Sequence, residues 1–118
     1  MSKETSQEIQ ELPTITSLAD LKKIAKSTKK PLILKFTAVF CNPCKIMSEE
    51  LKKYKGRDIA LLNIDVRESA DLAKHFGVRA VPYCCLVDEE CEVVRDRSGL
   101  MYVDEFERFV EGIGEREL

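Results

Sequence analysis

The chain changes period across Phe36-Thr37-Ala38-Val39-Phe40-Cys41-Asn42-Pro43-Cys44-Lys45. Pro31–Phe36, at its start, is an apolar run of strand length, whereas Ile46, Met47, Glu50, Leu51 and Tyr54 beyond it mark the faces of a helix. Two cysteines with two residues between them sit at that strand-to-helix junction. Pro43 suits the first turn of a helix, where its missing N–H would have no partner anyway. Cys41 then lies at the helix N-terminus, where unpaired N–H groups and the macrodipole favour a thiolate over a thiol. Cys44, one turn further in, is placed to attack a mixed disulfide formed on Cys41. A Cys-x-x-Cys in this setting reads first as a redox pair, a nucleophile with its resolver.

Composition limits the alternatives. The 118 residues are 44% hydrophobic, which suits a single domain with one core. Lysine plus arginine number 19 against 21 acidic residues, a formal charge of −2, and no basic stripe with interleaved aromatics points to nucleic acid. No apolar run is long enough to span a bilayer, and Met1-Ser2-Lys3-Glu4 opens no signal-peptide core, so a cytoplasmic protein without membrane contact is expected. The cysteines number five, so at least one lies outside any intramolecular disulfide. In a reducing compartment such residues are catalytic, metal-binding or buried rather than structural bridges.

In chain order, residues 1–11 are polar and without period and read as a flexible N-terminal tail, with the domain proper over 12–118. Leu12–Ile15 reads as a short edge strand interrupted by Pro13. Thr16-Ser17 offers an N-cap to a helix marked by Leu18, Leu21, Ile24 and Ala25. Leu32–Thr37 is a buried strand, and the helix from Pro43 runs to about Lys55, with Gly56 after its end. Ile59–Asp65 is a nearly continuous apolar run, as in a central parallel strand. A short helix over Ser69–Phe76 stops at Gly77. Tyr83–Val87 and Glu92–Arg95 form a hairpin through Asp88-Glu89-Glu90, and Val103, Phe106, Phe109, Val110 and Ile113 carry a closing helix. The order β-α-β-α-β-α-β-β-α gives parallel crossover units followed by an antiparallel hairpin.

From about Thr16 to Gly112 this pattern resembles thioredoxin. The resemblance is carried by Leu32–Thr37, by Phe40-Cys41-Asn42-Pro43-Cys44-Lys45, by Leu62-Asn63-Ile64-Asp65, by Gly77-Val78-Arg79-Ala80-Val81-Pro82 and by Gly99. It implies an α/β thioredoxin fold, a central mixed β-sheet of four to five strands flanked by helices on both faces. It also implies a cis peptide before Pro82 that faces the redox pair, and a protein-disulfide oxidoreductase in which Cys41 attacks the substrate disulfide and Cys44 resolves it. Phe40, Asn42, Pro43, Val81, Pro82 and Gly99 would bind substrate, Val81 through its backbone. The implied partners are disulfide-containing proteins and a flavin-dependent thioredoxin reductase that supplies electrons. No bound cofactor or metal is implied, and a monomer is expected, with a dimer through an exposed cysteine as the alternative.

The chain departs from the family pattern at several positions. Phe40 stands where a tryptophan precedes the first cysteine, and Asn42 replaces the glycine between the cysteines. Leu61 stands where a lysine is usual, and Glu49 where a proline kinks the helix. Lys35 replaces the buried aspartate thought to move the proton of the resolving thiol. Desolvated and neutral, Lys35 would accept a proton; charged near Cys44 it would favour the thiolate and the reduced form. The cost of burying an unpaired charge leads to a third expectation, that strand register or the side-chain stem carries its ammonium to solvent.

Other readings of the same residues stay open at this stage. Cys41 and Cys44 are also half of a tetrahedral zinc site, with Cys84, Cys85, Cys91 and His75 as further ligands. The strand-to-helix setting and Pro82 favour redox chemistry over that site and over a bridged iron–sulfur cluster. Cys84 and Cys85 alternate across a strand and read as small buried hydrophobes; Cys91, at the hairpin turn, is expected to be exposed. His75 reads as a surface residue near a helix end. Arg79 is either a contact for acidic substrate groups or a solvated arginine. A thioredoxin-fold binding module or co-chaperone with weak redox activity is the principal alternative function, and an isomerase or oxidant tuned by Asn42 is the third.

Overall fold

The computed structural model describes residues 9–12, 14–15 and 17–112. In chain order the elements are β1 (Ile9–Glu11), α1 (Leu18–Ser27), β2 (Leu32–Thr37), α2 (Asn42–Leu51), β3 (Ile59–Asp65), α3 (Ala70–His75), β4 (Tyr83–Val87), β5 (Val93–Ser98) and α4 (Val103–Glu111). One five-stranded sheet has the order β1-β3-β2-β4-β5. β2 lies at its centre, parallel to β3 with Leu34 opposite Leu62, and antiparallel to β4 with Lys35 opposite Cys84.

Alternation along the strands divides the core in two. Leu32, Leu34 and Phe36 join Ala60, Leu62, Ile64 and Cys85 on one face, packed against Leu21 and Ala25 of α1 and Leu72 of α3. Ile33, Leu61 and Cys84 face the other way, against Met47 and Leu51 of α2 and Phe106, Phe109 and Val110 of α4. Because both faces are covered, β2 and β3 read as continuous apolar runs rather than as an alternation. The helices start where local chemistry allows. Ser17 Oγ accepts the Asp20 N–H at 3.1 Å to begin α1, and Glu50 Oε1 accepts the Val103 N–H at 3.0 Å, tying the start of α4 to α2.

Within the fold the sequence reading and the structure differ most at three places, and β5 runs Val93–Ser98 rather than ending at Arg95. The strand expected at Leu12–Ile15 lies upstream, at Ile9–Glu11, inside the stretch read as a tail; Pro13 and residues 1–8 lie outside the described residues. The backbone of Ile9–Glu11 pairs with Ile59–Leu61, and the Leu12 N–H continues the pairing to the Leu61 carbonyl at 2.9 Å. Leu12 and Ile15 instead pack laterally on the core beside α1 and α3. Helix α2 ends at Leu51, short of Lys55. Its last turn tightens into bonds from Lys52, Lys53 and Tyr54 back to Glu49, Glu50 and Leu51, so Gly56 caps nothing.

The third difference is Cys91, expected at the surface and found 5% exposed, packed into the core beside α1 and α3. Asp88 organises the turn that folds it inward. Its Oδ1 accepts the N–H groups of Glu90 and Glu92, each at 2.9 Å, and its carbonyl accepts the Cys91 N–H. This burial removes the exposed cysteine on which an intermolecular disulfide depended. Burial also raises the thiols of Cys84 and Cys85 to about 12 and shifts Cys91 in the same direction. Brief alkylation of the reduced native protein should therefore leave Cys84, Cys85 and Cys91 unmodified until denaturant is added. Labelling of Cys91 at the rate of an unfolded thiol, located by peptide mass, would show that the turn is not packed.

Candidate active site

The end of β2 delivers the chain to the start of α2, and the first residue to meet that helix is Cys41. It is the N-cap, with φ −107° and ψ 106°, and its sulfur accepts the Cys44 N–H at 3.1 Å. A side-chain oxygen normally fills this role; here a sulfur does, and the same N–H is a ready partner for negative charge on that sulfur. Pro43 lies in the first turn, as expected, and the helix begins one residue earlier, at Asn42. Cys41 and Cys44 form a disulfide with Cα atoms 5.2 Å apart. Their accessibilities differ. Cys44 is 2% exposed under the helix, whereas Cys41 is half-buried at its tip.

Two loops close on this tip. The Val81–Pro82 peptide is cis, as the resemblance implied, and the Val81 carbonyl oxygen lies 3.8 Å from Cys41 Sγ. The Pro82 carbonyl accepts the Gly99 N–H at 2.8 Å, which joins the β5–α4 loop to the loop before β4. Gly99 has φ +96°, a backbone conformation that only glycine adopts without strain. The structure thus brings Cys41, Cys44, Val81, Pro82 and Gly99 together. Beside them Phe40 is 85% exposed and Val39 58% exposed, an apolar rim that joins neither core cluster among the described residues. Asn42 and Pro43 are exposed on the same helix tip, and Arg79 and His75 are exposed too.

Lys35 lies on the α2 and α4 side of the sheet and is 2% exposed. The expectation that its ammonium reaches solvent is overturned. Its Nζ donates to Ser48 Oγ at 2.9 Å and to Asn63 Oδ1 at 3.2 Å, and Asn63 Nδ2 donates to Glu11 Oε1 at 3.4 Å. Lys35, Ser48, Asn63 and Glu11 line, with Leu51 and Leu61, a cavity of about 30 Å³. Burial holds the lysine below its ordinary value, and the Cys84 and Glu11 groups offset part of that shift. Ser48, Asn63 and Glu11 were missed in the sequence. Ser48 lies one turn beyond Cys44 on the same helix face, and Asn63 is the polar interruption of an apolar strand, so both carried a signal; Glu11 carried none. Among the described residues no three histidine, cysteine or acidic side chains gather as metal ligands, and no helix is long and apolar enough to cross a membrane.

A lysine with a lowered folded-state value binds fewer protons in the folded protein than in the unfolded chain. Stability therefore rises with pH between the folded value and the ordinary one near 10.5. Lys35→Met should abolish that rise and be stabilising near neutral pH, because a buried polar group gives way to an apolar one of similar length. Urea denaturation of both proteins across that window tests this. An unchanged slope in the variant would show that Lys35 is not the group responsible.

Comparison with known proteins agrees with this geometry. The family model for thioredoxin matches residues 11–112. Thioredoxin H2-1 of Oryza sativa is 41% identical over 59 residues, 48% of this chain and 43% of that protein. A thioredoxin H-type of Brassica campestris is 41% identical over 63 residues, 51% of this chain and 50% of that protein. In these matches the chain spans about half the length of the curated relatives. Among solved structures, a mutant thioredoxin from Halobacterium salinarum superposes with a TM-score of 0.71 at 25% identity, covering 94% of this chain and 95% of that one. Mitochondrial thioredoxin 3 from Saccharomyces cerevisiae, in its oxidised form, gives 0.70 at 27% identity over 91% and 97%. With the family model covering all but the ends, and with the paired cysteines, the cis proline loop and the mixed sheet in place, the chain belongs to the thioredoxin family.

Proposed function

We propose that this chain is a thiol–disulfide oxidoreductase that reduces disulfides in other proteins. The observation that carries the reading is the Cys41–Cys44 disulfide at the N-terminus of α2, directly against the cis Val81–Pro82 loop. In the dithiol form Cys41, accessible at the tip and hydrogen-bonded by the Cys44 N–H, is the thiolate that attacks. The bond between the substrate sulfurs breaks, one substrate cysteine leaves as thiolate, and the other is held on Cys41 as a mixed disulfide. Cys44 then displaces it, which frees the second substrate thiol and closes the Cys41–Cys44 bond. Both electrons reside on these two sulfurs, so the cycle needs no resident cofactor. A flavin-dependent reductase returns the pair to the dithiol, and the protein acts as a monomer in the cytoplasm.

Phe40, Asn42, Pro43, Val81, Pro82 and Gly99 surround the pair as the substrate-contact surface. An extended peptide crossing the tip meets the Val81 backbone and lays apolar side chains on Phe40. A binding module with this groove and no useful turnover is the reading that experiment separates from this one. In a dithiothreitol-driven assay on a disulfide-bonded protein, the wild type should accelerate reduction and Cys41→Ser should reduce it to the uncatalysed rate. Cys44→Ser should accumulate a covalent adduct with the substrate that reductant dissolves. A Cys41→Ser variant as fast as wild type would refute the enzyme reading. Phe40→Ala should lower kcat/KM by about tenfold, the equivalent of ~1.4 kcal/mol of apolar contact. An unchanged kcat/KM would remove Phe40 from the contact surface.

A further inference from the structure

Lys35 is buried at 2% exposure on the α2 side of the sheet, and the cycle above gives it no task. An ammonium carries three N–H donors and a charge. Two of the donors have acceptors, Ser48 Oγ at 2.9 Å and Asn63 Oδ1 at 3.2 Å, and both acceptors are neutral. Cys84, the register partner on β4, supplies no charge near neutral pH, because burial raises that thiol to about 12. Glu11 on β1 stands behind Asn63, whose Nδ2 donates to Glu11 Oε1 at 3.4 Å, and among the described residues no ion pair reaches Lys35. The ammonium therefore has one N–H to spare and a charge compensated only at a distance, through an exposed side chain.

Lys35, Ser48, Asn63 and Glu11 share a cavity of about 30 Å³, room for one particle of water size or slightly larger. Ser48 on α2 and Glu11 on β1 are both exposed, which gives the cavity a mouth to solvent. The Ser48 hydroxyl accepts from Lys35 and has its own O–H to donate, with no acceptor for it among the described residues. Leu51 and Leu61 complete the lining, and apolar walls strengthen the pull of the ammonium on an opposite charge. An occupant suited to this cavity is of single-particle size, accepts from an N–H and an O–H, and answers a buried positive charge. Water meets the first two conditions; a small monovalent anion meets all three. Glu11 opposes such an anion, but its charge lies at an exposed edge where solvent screens it, whereas that of Lys35 is buried.

We propose that the cavity shared by Lys35, Ser48 and Asn63 is a binding site for a small monovalent anion of halide size, held by the third N–H of the Lys35 ammonium and by the Ser48 hydroxyl. The site stands apart from the redox reading. Because the anion needs the folded arrangement of β2, α2 and β3, its binding stabilises the folded chain as its concentration rises. It also holds Lys35 in the charged form that burial alone disfavours.

The test follows urea denaturation at neutral pH while sodium chloride replaces sodium methanesulfonate, whose anion is too large for the cavity, at one ionic strength. The wild-type midpoint should rise as chloride replaces the larger anion. Lys35→Met should weaken chloride binding at least about tenfold, the scale of a lost hydrogen bond to a charged group. A general salt effect acts on both proteins alike and cancels in the comparison. Ser48→Ala, a change at the exposed mouth, should weaken binding at least about twofold. Glu11→Gln removes the opposing charge and should strengthen it at least about twofold. A crystal grown in sodium bromide should show an anomalous peak in the cavity, within hydrogen-bond distance of Lys35 Nζ. Equal midpoints in the two salts, the same chloride response in wild type and Lys35→Met, or density for water without an anomalous peak would each overturn the site. Weaker chloride binding in Glu11→Gln would overturn the anion as its occupant. None of these readouts uses the thiols, so the result is separate from that of the reduction assay.

Discussion

Everything in this molecule depends on β2 being covered on both faces. It is the strand that pairs in parallel with β3 and in antiparallel with β4, and its side chains enter both halves of the core. A strand in that position cannot slip by one residue, because the shift would exchange Leu34 and Phe36 with Ile33 and Lys35 between two differently shaped layers. Fixed register fixes where the strand ends, and hence where α2 begins. The cysteine at that point becomes an N-cap without any further device, since the helix leaves N–H groups there that require a partner. The chemistry of Cys41 is in this sense a by-product of where the sheet stops.

The same physics explains what the sequence disclosed. β2, β3 and β4 were legible because strands buried on both sides must be apolar, and α2 was legible because Pro43 and the paired cysteines mark its first turn. Ile9–Glu11 was illegible because three residues, of which Ile9 alone packs on the core, are too few to show a period. Its donors and acceptors complete the open edge of β3, and its side chains advertise nothing. The Cys91 turn failed for a related reason. Acidic residues around a cysteine suggest solvent, but Asp88 spends its carboxylate on backbone N–H groups, and the turn so formed points the thiol into the core. The Cys41–Cys44 pair could be read; the polar cluster around Lys35 could not, because Lys35, Ser48, Asn63 and Glu11 come from four separate segments and meet only once the sheet has assembled.

That cluster is an exception to the logic of the core. A lysine buried on the α2 side of the sheet, with no ion pair among the described residues, opposes folding, and an apolar side chain of similar length would fill the space at lower cost. Its two neutral acceptors soften the penalty without removing it. Cys84, directly across the ladder, gains nothing as a nucleophile from this neighbour, since desolvation outweighs the attraction of the lysine. Local rules broken without a compensating gain in stability concentrate where function has a use for the group, and Lys35 breaks the rule under α2, the helix that carries Cys44 and Ser48.

The two sulfurs of the pair meet opposite demands, and the fold satisfies each separately. Cys41 stands half-buried at the helix tip, beside the exposed apolar side chains of Val39 and Phe40. Cys44 is held beneath the helix at 2% exposure, where no external disulfide reaches it. Exposure of the first sulfur and burial of the second follow from a single helix start.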